Sequence, residues 1–240
     1  MWLSPLIVVL AGVHKRLSQS FKTGRGGLPM LGGIRHYRTA SMIARRILHR
    51  LSGSILALFV LVHLFQHLAV LAGAPAHLAV MEALRVVYRW PPVEALLLGC
   101  VAVQLVTGVP LAWSSRAPGQ RLARLSGLYL LFFLAVHTTA VLAGRYAGTD
   151  TNIYFAAAGM HAWPAAAFFV PYYFLAVVAI AVHLGSAVAR RLPAAHRGRI
   201  VRRCAAVGTV SSLLIVGGMA RIDIPAAYLQ PFTQSGGKSG

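Results

Sequence analysis

The chain has 240 residues, of which 58% are hydrophobic and only four are acidic: Glu82, Glu94, Asp150 and Asp223. That composition places it among integral membrane proteins and leaves no stretch for a separate soluble domain. The formal net charge of +19 does not signal nucleic acid, because the basic residues sit at the ends of apolar runs, where membrane topology requires them.

Residues 1–13 are apolar, but a span needs ~20 residues. The charges follow this run instead of preceding it, the wrong order for a secretory signal, so a working start near Met42 is expected. Residues 24–33, GRGGLPMLGG, read as a flexible loop. Five long apolar runs follow, at about 51–73, 92–113, 125–144, 164–189 and 205–220. Short connections between them predict one all-α, antiparallel bundle of five transmembrane helices. The organisation expected is a basic N-terminal segment (1–48), a five-helix membrane domain (49–222) and a C-terminal tail (223–240). Cys100 and Cys204 lie in or beside apolar segments and read as small buried hydrophobes.

Lys and Arg set the orientation. Of the 23 basic residues, 18 fall before span one, after span two and after span four. Positive residues stay on the cytoplasmic side, so the N-terminus is expected inside, in the cytoplasmic membrane.

Two stretches repeat each other. His49–Gly73 contains Arg50-Leu51-Ser52-Gly53, an apolar run and then His63. Arg124-Leu125-Ser126-Gly127 is followed in the same way by His137. In both copies the histidine lies ten residues after the glycine. Counted from the outer ends of their spans, His63 lies at ~15 Å and His137 at ~12 Å. Ionisable side chains at membrane depth are rare and face the bundle interior. Two imidazoles at one depth on different helices can ligate a haem iron from both faces. A lone intramembrane histidine more often just bonds a neighbouring helix; the repeat tips the balance for this pair. His67 lies one turn beyond His63 and is the alternative ligand, or a partner for a propionate or quinone. His183, on span four, lies ~27 Å from the outer end, and Gln104, on span two, ~18 Å. His77 and His161 fall between spans and read as solvated interface residues. No phosphate loop, thiolate cluster or carboxylate dyad is present, so any chemistry belongs to a cofactor.

Over roughly residues 45–222 the chain resembles the single-chain, five-helix cytochrome b membrane subunit of succinate dehydrogenase and fumarate reductase. The resemblance rests on the Ser-Gly-to-His spacing at Ser52-Gly53 and His63, its repeat at Ser126-Gly127 and His137, and AVHLGSAVARR around His183. It implies haem b as cofactor, with His63 and His137 as outer-haem ligands and His183 as one inner-haem ligand. Gln104 stands where the family has the inner partner histidine, so one haem is expected, the second being the open alternative. Ala181 stands where some members carry a glutamate linked to proton movement, so that route is not expected. The resemblance also implies an iron–sulfur subunit and a flavoprotein subunit as partners, and quinone as substrate, placed near Arg50 and Ser52. The competing readings are a b-type cytochrome subunit of another respiratory dehydrogenase or hydrogenase, and a haem-free membrane protein.

Overall fold

Within lipid a backbone finds no water for its N–H and C=O groups, so each apolar run must close its own hydrogen bonds. The computed structural model of the chain describes residues 29–114 and 119–233, with side chains from Ser41 onward. Among them the regular elements are all helical: α1 (Pro29–Leu68), a 3-10 turn (Ala69–Ala72), α2 (Ala74–Tyr88), α3 (Pro91–Ser114), α4 (Arg121–Tyr146), α5 (Ile153–Ala158), α6 (Ala166–Ala189), α7 (Ala194–Met219) and α8 (Ala226–Thr233). Five helices are long and apolar enough to cross a membrane: Ser41–Ala72, α3, α4, α6 and α7. This is the five-span, all-α bundle expected from the apolar runs. Both cysteines are free.

Two boundaries differ from the sequence expectation. α7 begins at Ala194, before its apolar run, and carries Arg197, Arg199, Arg202 and Arg203 in its first turns. Arginine stems cover apolar surface while their heads reach water, so the helix continues past the apolar zone. Residues 29–33, expected as loop, are helical, with Pro29 in the first turn, where its missing N–H is harmless. The apolar run 1–13, residues 24–28, Arg116 and Lys238 lie outside the described residues. The chain divides into two units, Met1–Ala44 and Arg45–Gly240. In the first, residues 29–44 are helical; the second holds every candidate site residue.

Small residues draw the later spans together, as expected where lipid removes the hydrophobic drive between helices. α6 lies along α7, α4 against α6, and α3 against α4. On the α6–α7 seam, a Cβ on Gly208 would lie 2.5 Å from that of Ala181, and one on Gly185 2.7 Å from that of Cys204. At the end of the bundle that carries α2, the 3-10 turn, α5, α6 and α7 share a core of Val70, Ile153, Ala157, Met160, Val177, Ile215 and Met219. Gly73, at φ +99°, turns the chain from the 3-10 turn into α2, a conformation that glycine adopts without cost to a side chain. α2 then packs on that turn, on α3 and on α5.

Three of the four acids are paired at this same end. Arg85, 8% exposed, bonds Glu82 and Asp150 at 2.8 Å each, and Arg145 pairs with Glu94. Asn152 caps α5 and donates to Asp150 (2.8 Å) and to the Tyr228 hydroxyl (2.9 Å). Burial alone would raise the Asp150 carboxyl. The hydrogen bonds from Arg85 and Asn152 outweigh it and hold the group below the usual carboxylate range. The network pins α2 and the α4–α5 connection to each other over the end of the bundle.

Candidate functional site

His63 on α1 and His137 on α4 meet across the bundle, with ring centroids 6.4 Å apart and planes at 59°. Each ring stacks on a phenylalanine one turn earlier in its own helix. Phe59 and His63 lie 5.5 Å apart at 14°, and Phe133 and His137 5.1 Å apart at 11°. The repeat is therefore longer than Ser-Gly…His: it includes FVLVH in one copy and FLAVH in the other, a pattern legible in the sequence. Phe133 also rests on Tyr172 of α6, whose backbone carbonyl accepts the Tyr129 hydroxyl at 2.8 Å.

A chain of imidazoles leads from His63 toward α2. His67 Nε2 lies 3.2 Å from His63 Nε2, and His77 Nε2 lies 3.3 Å from His67 Nδ1. His77 corrects the sequence expectation. It is not a solvated loop residue: it sits on α2, 1% exposed, and α2 lays it over the bundle. Burial, with Arg85 nearby, lowers its pKa to about 4, so it is neutral at ordinary pH. No signal within α1 could have found it, because α2 alone brings it there. His161, by contrast, is exposed and bonds the Met219 carbonyl at 3.0 Å.

The pair can be tested against a haem iron by geometry. Two metal–imidazole bonds of about 2 Å, with the ring radii added, put the centroids of opposed ligands roughly 6 Å apart. The observed 6.4 Å fits. Burial fits too. Of four buried side-chain atoms without a hydrogen-bond partner among the described residues, three gather here: His63 Nδ1, Gln66 Oε1 and His77 Nδ1. Native interiors rarely leave such atoms unmatched. One contact qualifies the assignment: for His63 to bind a metal through Nε2, His67 must give up its 3.2 Å contact there.

The Ser-Gly pairs lie deeper, toward the arginine-rich end. Each makes room for a polar side chain of a neighbouring span. A Cβ on Gly53 would lie 3.2 Å from Gln104 Nε2, and one on Gly127 3.0 Å from His183 Cε1. Gln104 Nε2 donates to the His49 carbonyl (2.7 Å) and to Ser52 Oγ (2.8 Å). His183 Nδ1 lies 3.2 Å from the Ala123 carbonyl and 3.4 Å from Ser126 Oγ. Ser52 and Ser126 donate back to Leu48 and Leu122 at 2.7 Å. Gln104 and His183 thus occupy equivalent sockets at one level, and among the described residues neither bonds the other. His49 is fixed as well, with Nδ1 2.9 Å from Thr107 Oγ1. Of the two residues suggested for quinone, Ser52 spends its hydroxyl on Leu48 and Gln104. Arg50 is exposed, near Arg190, whose guanidinium pKa is lowered first by burial and then by Arg50.

No protein-family model, curated protein or solved structure matches the chain.

Proposed function

We propose that this chain is the membrane-anchor cytochrome b subunit of a succinate:quinone oxidoreductase, with its N-terminus on the cytoplasmic side. The observation that carries the reading is the His63–His137 pair, 6.4 Å apart on two repeated helices within the bundle. His63 and His137 would hold one haem b, with His67 as the alternative ligand on α1. A haem so held supplies one-electron transfer between an iron–sulfur partner and quinone in the bilayer. The chain's own part is binding and insulation. Phe59 and Phe133 fix the imidazole planes. α2, locked by Arg85 and Asp150, lays His77 against His67 beside the pair. Succinate chemistry belongs to the flavoprotein partner, and the arginine-rich face, which lacks acids among its described residues, is compatible with docking the iron–sulfur subunit.

The test is a reduced-minus-oxidised spectrum of the purified chain, with the subunits that co-purify identified. A low-spin b-type band together with a flavoprotein and an iron–sulfur protein is expected. The band with other partners would move the chain to another respiratory dehydrogenase or hydrogenase. A chain without the band would be a haem-free protein in which the His63–His67–His77 bonds are structural.

A further inference from the structure

Two of the buried side-chain atoms without a hydrogen-bond partner among the described residues belong to one turn of α1: His63 Nδ1 and Gln66 Oε1. Gln66 is 3% exposed, although it lies on the most apolar of the five spans. A polar side chain buried in hydrocarbon ordinarily has a partner to bond. Residues three apart share a helix face, and the Gln66 side chain stands beside the His63 ring, with no bond closed between Nδ1 and Oε1. The contacts to His67 and His77 run through other atoms, Nε2 of His63 and both nitrogens of His67, so they do not compete for His63 Nδ1. The repeat also singles this residue out. FVLVH and FLAVH match through His63 and His137, but three residues on α1 has Gln66, where α4 has Ala140. Ala140 is exposed and carries no side-chain acceptor.

We propose that Gln66 is a positioning residue for the haem site: its Oε1 accepts the Nδ1–H of His63, fixes that ring with Nε2 as the free lone pair, and makes His63 the more basic of the two axial ligands. The inference deepens the function proposed above and rests on it for the identity of the bound group. The pairing follows from the imidazole itself. A neutral ring has one N–H and one lone pair, so a ring that binds a metal through Nε2 must carry its proton on Nδ1. That proton needs an acceptor, and Gln66 Oε1 is a buried acceptor without a donor. Metal-bound histidines ordinarily pass their other N–H to such a group, which holds the ring and raises its basicity. With the proton on Nδ1, nothing has to leave Nε2 for a metal to bind there. A more basic axial ligand favours ferric over ferrous iron, so Gln66 lowers the reduction potential of the haem.

The experiment is potentiometric titration of the b-type band of the full chain in lipid nanodiscs, with haem retention followed by transfer to added apomyoglobin. Gln66→Leu has similar bulk and no acceptor. Its midpoint should move in the positive direction, and its haem affinity should fall about tenfold. Gln66→Met, unbranched like glutamine, should repeat that shift. Gln66→Glu keeps an acceptor and should hold the midpoint at or below the wild-type value. A wild-type midpoint in Gln66→Leu and Gln66→Met, or a Gln66→Glu midpoint shifted as theirs are, would overturn the proposal. A wild-type chain without the band would remove the redox reading and this proposal with it, whereas a band whose midpoint ignores Gln66 would remove this proposal alone.

Discussion

The α6–α7 seam offers a quantitative test, because it positions His183 two residues from Ala181. Replacing Gly208 by alanine would place a Cβ 2.5 Å from that of Ala181, with the Val177 carbonyl and the Val178 Cα at 3.4 Å. Carbon atoms prefer about 3.5–4.0 Å, so the helices would have to part by roughly 1 Å along the seam. Overpacking of this kind costs about 1–3 kcal/mol, and the Ala181 Cβ has no rotamer through which to escape. Gly217 lies on the same helix with nothing within 4 Å of its would-be Cβ. Gly217→Ala gains about the same helix propensity, up to ~1 kcal/mol, without the clash. Comparing the two variants cancels propensity and isolates packing. Unfolding in mixed detergent, followed by circular dichroism, should place Gly208→Ala about 1–3 kcal/mol below Gly217→Ala. Equal stability of the two would refute the close seam and, with it, the placement of α6.

His63→Ala and His137→Ala should each abolish the same low-spin haem signal, because each removes an axial ligand; a normal spectrum in the His63 variant, lost in His67→Ala, would move the ligand one turn along α1. Pyridine haemochrome assay against protein mass should give one haem per chain, since Gln104 has no imidazole to offer; two haems would require another ligand opposite His183. Reporter fusions after Gly73 and after Arg190 should report opposite sides of the membrane; the same side for both would end the five-span topology. His77, neutral and buried, has a folded pKa lowered to about 4 from 6.5. Its contribution is therefore complete above pH ~6.5 and is lost as pH falls toward ~4, by roughly 3 kcal/mol at most. His77→Leu should be less sensitive to acid than wild type across that window, and identical pH profiles would show that His77 is not buried as described.

The number of spans and the matched histidines were legible because both are local. Apolar length decides whether a segment can cross a bilayer, and a ten-residue spacing along a helix fixes a height whatever surrounds it. His63 and His137 are brought together as that spacing implies. The two interhelical segments were not legible. α2 is a short helix whose placement depends on the Gly73 turn and on Arg85 reaching Asp150, and these contacts join residues far apart in sequence. His77 was accordingly misread as solvated.

The sequence by itself determined an all-helical, five-span chain and the repeat that carries its histidines, since periodicity and hydropathy are properties of neighbouring residues. It could not determine what Ser-Gly is for. Only the tertiary structure decided that the two glycines are sockets for Gln104 and His183, and that Phe59 and Phe133 hold the paired imidazoles. The physical reason is that a missing Cβ matters only for what approaches it, and what approaches comes from another helix.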